Sequence, residues 1–329
     1  MNVLISFSSN DNYIPYVSVM MQSIMENAQS RRKYEFHIMH TDIKKETMNA
    51  LQKQISSFSH FSVSFIDMSS YVENNNFFTS RHITVEAYFR LFIPYLFPNI
   101  KKIIYLDGDM VCNTDISQLF DMDISDFLVA GVRDTAVSWF FQPKKLQDAY
   151  NRNIYEYMLS MENPSDYINS GMLLINCEKF REIYSEKDVI NTIFSREWQV
   201  HDQDVINFLV KDKILYLDYE WDFMPNGDWA KYLPQDLKIK YIEAEKKPKI
   251  IHYKPYSYWW YIPKFELFWK YATRTPFVEK IVDRMNKNGI INQNLEDKIC
   301  STIRERNGFG GNSILKTIIA FLTRNSRRK

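Results

Sequence analysis

Short apolar runs alternate with longer stretches of helical periodicity along the first hundred residues. Residues 3–7 form an apolar run of strand type. A polar turn, SSNDNY, covers 8–13, and Ile14, Val17, Met20, Met21 and Ile24 then recur at helical spacing over 14–27. The same reading predicts strands at 34–39 and 61–66, with a helix over 44–57 between them. A further helix is predicted over 83–96, followed by a strand that stops at Asp107-Gly108-Asp109. Strands alternating with helices predict an α/β fold with a mostly parallel sheet and right-handed crossovers. Such sheets bind ligands at the carboxyl ends of their strands. The turns at 8–13 and 107–109 both follow strands, so they should share one sheet edge.

Beyond residue 160 the pattern is less regular. Residues 167–176 hold a short strand behind Asn169-Ser170-Gly171, and 177–197 and 203–210 read as helices. Residues 249–252 are a strand ending in His252, and from about 263 the pattern is helical and increasingly basic. The simplest partition is a domain over 1–262 with a helical extension over 263–329.

Composition narrows the function. Net charge is +1, so no global field draws the chain to nucleic acid. Cys112, Cys177 and Cys300 are too scattered for a disulfide framework or a zinc knuckle. The run at 3–7 is too short for a signal-peptide core, and no apolar stretch reaches the roughly 18 residues of a spanning helix. A cytoplasmic protein is expected.

The candidate chemistry sits where strands end. Asp107 and Asp109 are two residues apart, which in extended backbone puts both carboxylates on one side. Gly108 lets the chain turn or approach a ligand. Hard cations such as Mn²⁺ or Mg²⁺ take oxygen ligands of this kind. A polar turn capping a strand is the alternative. His252 offers an imidazole as a third donor, or a structural histidine. In His201-Asp202-Gln203-Asp204, at least one acid serves as a helix cap, and the run exceeds what capping needs. Arg90 sits with Glu86 on an otherwise apolar helix, either paired to an acid or holding a phosphate or a catalytic carboxylate.

The segments NDNY, RHITVEAYFRL, IIYLDGDMV, NSGMLLIN, HDQDVIN, FMP and IHY, in this order over about residues 1–260, resemble glycosyltransferase family 8. That family includes bacterial lipopolysaccharide α-galactosyl- and α-glucosyltransferases and glycogenin. The resemblance implies a GT-A nucleotide-diphospho-sugar transferase fold and a retaining hexosyltransferase. It also implies a UDP-glucose or UDP-galactose donor, Mn²⁺ (or Mg²⁺), and a saccharide, glycolipid or glycoprotein acceptor. Residue by residue, it implies metal ligation by Asp107, Asp109 and His252. It implies donor contacts from Ser8, Asn10, Asn12, Tyr13, His82, Arg90, Asp107, Gly108, Asn169, Gly171 and Asp202. Gln203 falls on the reacting face, beside Asp202 and Arg90 as catalytic candidates, and Asp134 falls at an acceptor-site acid. Where the family often carries an acid, this chain has Asn10. Where many members read HYxGPxKPW, it reads HYKPYSYWW; Pro255 and Tyr258 replace the glycine and lysine, and Lys254 partly supplies the lost charge. A phosphatase-like hydrolase would leave His252 and Gln203 without roles. A UDP-sugar-binding protein without transfer activity is the alternative that the missing lysine supports.

One motif lies outside that resemblance. Ile314, Leu315, Ile318, Ile319 and Leu322 make an apolar helical stripe, with Arg324, Arg327, Arg328 and Lys329 behind it. This suits peripheral contact with an anionic membrane, or a helix packed on the protein.

Overall fold

The alternation in the sequence becomes a layered α/β fold in the computed structural model, which describes residues 2–29, 31–79, 84–136, 161, 163–225, 230–253 and 265–287. Strand β1 (Val3–Ser8) leads into helix α1 (Ile14–Asn27), β2 (Tyr34–His40), α2 (Lys45–Ile55), β3 (Phe61–Asp67) and the short α3 (Ser69–Glu73). A 3₁₀ helix, Val85–Phe92, runs into α4 (Ile93–Leu96). Strands β4 (Lys102–Leu106) and β5 (Met110–Cys112), α5 (Ser117–Phe120) and β6 (Val129–Arg133) follow. After residue 160 come β7 (Ile168–Asn176), α6 (Cys177–Ile183), α7 (Glu186–Phe194), α8 (His201–Val210) and β8 (Ile214–Leu217). Helix α9 (Gln235–Lys246), β9 (Ile250–His252), α10 (Phe265–Ala272) and α11 (Val278–Lys287) complete the described chain.

The main sheet has the order β3-β2-β1-β4-β7-β6-β8. β1, β2, β3 and β4 pair in parallel, as do β6 and β8. β7 runs antiparallel to both neighbours. Its burial explains how it holds the centre: Ile168 to Ile175 are all buried, because both sheet faces are covered. Side chains alternate between the two faces. Ile104 and Leu106 join the core that contains α1, while Ile103 and Tyr105 join the core under the 3₁₀ helix and α8.

A second ladder pairs β5 with β9 antiparallel, Met110 opposite His252. Helices α10 and α11 close over it. Phe268, Trp269, Ile281 and Val282 pack with Tyr16 and Val19 of α1 and with Val111 and Ile251 of the ladder.

Two expected helices change. The helix over 83–96 is mostly 3₁₀, because one or two apolar turns do not distinguish spacing three from spacing four. The helix over 177–197 is two helices, divided where Ser185 and Asp188 form a reciprocal capping box. Strands β5 and β6, ahead of residue 160, and β8 and helix α9, beyond it, go unread in the sequence. The apolar stripe at 314–322 lies outside the described residues. Among the described residues no helix is long and apolar enough to cross a membrane.

Candidate functional site

The carboxyl ends of β1 and β4 do share one edge, and a cavity of about 320 Å³ opens there. Its lining includes Ser8, Asn10 and Tyr13 after β1, and Asp107, Gly108 and Asp109 after β4. Arg90 comes from the 3₁₀ helix, Asp202 and Gln203 from the first turn of α8, and His252 from the end of β9.

Two pairings assemble the acidic end. Leu106 stands opposite Met172 on β7, so Asp107 follows beside Gly171, and its amide donates to the Gly171 carbonyl at 2.7 Å. Met110 stands opposite His252, which delivers the imidazole to Asp109: Nε2 lies 3.4 Å from Oδ1. Ligand atoms of Asp107, Asp109 and His252 all lie within 4.8 Å of one another. Two hard oxygens and one imidazole nitrogen within that span fit a divalent cation of the Mn²⁺ or Mg²⁺ type.

The imidazole is also oriented. Nδ1 donates to Oδ1 of Asp222 at 3.0 Å, which leaves Nε2 facing the two aspartates. Asp222 is fully buried and was not singled out in the sequence. Burial alone would lower the His252 pKa; the carboxylates of Asp109 and Asp222 outweigh it and raise it well above the ordinary histidine range.

Gly171 is required for space. A Cβ there would lie 2.6 Å from Cε1 of His252 and 2.8 Å from Oδ2 of Asp107. Gly108 is similar, since a Cβ would meet Cγ2 of Val17 at 2.6 Å. Its role here is close approach to α1.

Arg90 is the hub of the opposite wall. Its Nη2 lies 3.1 Å from Oδ1 of Asp107, its Nε lies 3.1 Å from Oδ2 of Asp202, and its Nη1 donates to the Ser170 carbonyl. The guanidinium also stacks over the Tyr105 ring, 4.4 Å from the centroid. Arg90 pairs with these two aspartates rather than with its helix neighbour Glu86. One guanidinium therefore serves two carboxylates. Burial pushes the Asp202 carboxyl up to about 6; Arg90 opposes this and the Asp107 charge adds to it.

Gln203 is held at both ends of its amide. Oε1 accepts from the Ser170 amide at 3.0 Å, and Nε2 donates to Oδ2 of Asp134 at 3.0 Å. The same Asp134 oxygen accepts from Nδ2 of Asn169 at 3.0 Å, while Asn169 Oδ1 accepts from the Gly171 amide at 2.8 Å. Asp134 and Asn169 thus sit beneath the cavity floor, buried, and reach the site through Gln203 and Gly171. No acid of HDQD is the N-cap of α8: that position is Val200, without a side-chain cap, and Asp204 in the first turn accepts from the Val200 amide and the Tyr167 hydroxyl. His201 has φ 49°, a left-handed conformation. It stands where the chain turns into α8 and sends Asp202 and Gln203 inward.

Asn12 is exposed and is not among the lining residues. His82 and Lys254 lie outside the described residues. Lining residues that sequence reasoning passed over include Ser9, Thr84, Ala87, Tyr105 and Ser170. Of these, Tyr105 lay in the strand run itself and Ser170 between two residues already singled out.

Comparison with known proteins places this geometry. The profile described as glycosyl transferase family 8 matches residues 4–261. A Haemophilus influenzae protein named "Putative glycosyltransferase" is 30% identical over 264 residues, covering 79% of this chain and 73% of that protein. The lipopolysaccharide 1,2-glucosyltransferase of Escherichia coli K12 is 26% identical over 193 residues, 55% of this chain and 52% of that one. Among solved structures, the apo form of the bifunctional glycosyltransferase WbbM superimposes with a TM-score of 0.76 at 24% identity, over 86% of this chain and 51% of that chain. The galactosyltransferase LgtC, in complex with donor and acceptor sugar analogues, gives 0.65 at 22% identity over 84% and 96%. These structural likenesses show a GT-A-like fold.

Proposed function

The chain belongs to glycosyl transferase family 8, and from that premise we propose that it moves a hexose, glucose or galactose, from a UDP-sugar to a saccharide or glycoconjugate acceptor with retention of configuration. The observation that carries the donor reading is the Asp107, Asp109 and His252 cluster, with ligand atoms within 4.8 Å, opening into the cavity that Arg90 and Gln203 wall. Asp107, Asp109 and His252 would hold a divalent cation, which supplies charge neutralisation for a diphosphate leaving group.

The chain's own residues supply the rest. Arg90, fixed by Asp107, Asp202 and Ser170, presents a buried positive charge to the diphosphate and the sugar. Gln203 lies at the cavity wall with its amide clamped by Ser170 and Asp134, so it is a fixed dipole toward the anomeric carbon. An amide is a poor nucleophile, and Asp202 is engaged by Arg90 and by the Ser170 hydroxyl. This supports attack by the acceptor on the face from which UDP departs, through an oxocarbenium-like state. The departing phosphate then takes the acceptor's proton. Asp202 as a covalent nucleophile is the weaker reading. Asp134, beneath Gln203, acts by holding that amide.

A panel of UDP-sugars, assayed for hydrolysis with Mn²⁺ and with excess chelator, tests this. UDP-glucose or UDP-galactose should be turned over in the metal-dependent arm only. Turnover that chelation leaves intact, or that Asp109→Asn leaves at full rate, would remove the metal assignment. UDP binding without turnover of any sugar would favour the binding-protein alternative.

A further inference from the structure

One carboxylate in the cavity has no part in the arrangement above. Glu86 is buried and lines the cavity wall. The hydroxyls of Thr84 and Thr41 donate to its two oxygens, Thr41 at 3.4 Å. The other acids of the cavity lie against cationic groups: Asp107 and Asp202 against Arg90, Asp109 against the His252 imidazole. Among the described residues Glu86 has no such partner. An ionised carboxylate is an acceptor only, with about four lone-pair sites. Two hydroxyls leave sites that a ligand N–H or O–H can fill, and leaving them unfilled on a buried side chain is costly.

Its place along the sheet edge says which part of a ligand it meets. Thr41 follows β2, the turn at Ser8–Tyr13 follows β1, and Asp107 follows β4, with the strands in the order β2-β1-β4. Neighbouring strands stand about 4.8 Å apart, so the end of β2 lies roughly 10 Å from the end of β4. On that spacing, a nucleoside diphosphate with its phosphates at the β4 end would reach over β1 with its ribose and to β2 with its base. Asn10 lies on that path, but its Oδ1 already accepts from the Tyr13 amide at 3.0 Å at the start of α1.

We infer that Glu86 is the residue that reads the nucleobase, accepting a hydrogen bond from the imide N3–H of uracil. The inference rests on the UDP-sugar reading above. It makes Glu86 a specificity residue: cytosine has an unprotonated N3, whose lone pair would face the carboxylate.

The test is calorimetric titration of the full chain with UDP, CDP and 2′-deoxy-UDP in the presence of Mn²⁺, for the wild type and Glu86→Gln. Glutamine keeps the size and both threonine contacts, and its amide can donate to cytosine N3. A hydrogen bond to a charged group is worth about tenfold or more in affinity. The wild type should prefer UDP over CDP, and the variant should narrow that preference by about tenfold with the 2′-deoxy effect unchanged. A UDP-to-CDP ratio equal in both proteins would overturn the inference. So would a variant that alters only the response to 2′-deoxy-UDP, since Glu86 would then meet the ribose. Wild-type protein titrated with N3-methyl-UDP gives an arm free of any folding effect, where a loss of at least tenfold is expected and equal binding refutes the role. Absence of any UDP binding by the wild type would instead overturn the donor reading, and this inference with it.

Discussion

Asp222 shows how a residue outside the quoted motifs sets the chemistry of one inside them. It stands thirty positions before His252, does not itself line the cavity, and fixes which imidazole nitrogen faces the aspartates. Partners of this kind typically account for 10–100-fold in metal affinity. We expect Asp222→Ala to weaken Mn²⁺ binding by about that factor, measured by electron paramagnetic resonance titration. Asp222→Asn still accepts from Nδ1 and should lose less. Equal affinities in all three proteins would mean that the hydrogen bond does not orient the ligand. Gly171→Ala tests the same centre sterically. Its methyl would collide with His252 and Asp107, so metal affinity should fall and stability should drop by about 1–3 kcal/mol. Much of this centre is legible in the sequence, because two carboxylates at a strand end and a histidine after another strand advertise themselves. Asp222 is not, because its partner is set by the β5–β9 ladder and the bridge from Phe223 to Ile251. The only sign is a charged residue among aromatic neighbours in the segment that ends in FMP.

At the scale of elements, the sequence reveals those whose periodicity is long. β1, α1, β2, α2 and β3 fall within one or two residues of their expected bounds, as does β4, whereas β7 starts earlier than expected, at Ile168, and takes Asn169-Ser170-Gly171 into the strand. The direction of β7 is not readable, since a run buried on both faces looks the same whichever way it lies. β5 and β9 are too short to carry a period, and their pairing delivers His252 to Asp109. α8 is a different case: its start bends through His201 in a conformation that histidine tolerates better than bulkier residues. A β-branched residue there is strained by about 1–3 kcal/mol. His201→Val should therefore lower the melting temperature and misplace Asp202 and Gln203, whereas His201→Gly should keep the turn. Thermal unfolding of both variants decides this; equal losses would assign the effect to the lost contact with the Tyr88 hydroxyl.

For the whole molecule, the buried charges link stability to pH. The folded Asp202 carboxyl lies near 6 against an ordinary 3.8, because burial disfavours its ionised form. Between those values the unfolded chain has released the proton that the folded chain keeps. This group therefore makes stability fall as pH rises from about 4 to 6, by on the order of 2–3 kcal/mol. Asp202→Asn should flatten that segment of the metal-free stability profile, read from urea midpoints at pH 4 and pH 6; an unchanged slope would show that Arg90 holds the carboxylate ionised throughout. The proposed reaction is retaining transfer at a cavity built by the β4, β7 and β9 ends. It is tested most directly by the anomeric configuration of the first-formed product from UDP-glucose or UDP-galactose with Mn²⁺, followed by proton NMR. An α-configured product, absent when Asp109→Asn replaces the wild type, is the expected result, and a β-configured product would contradict it.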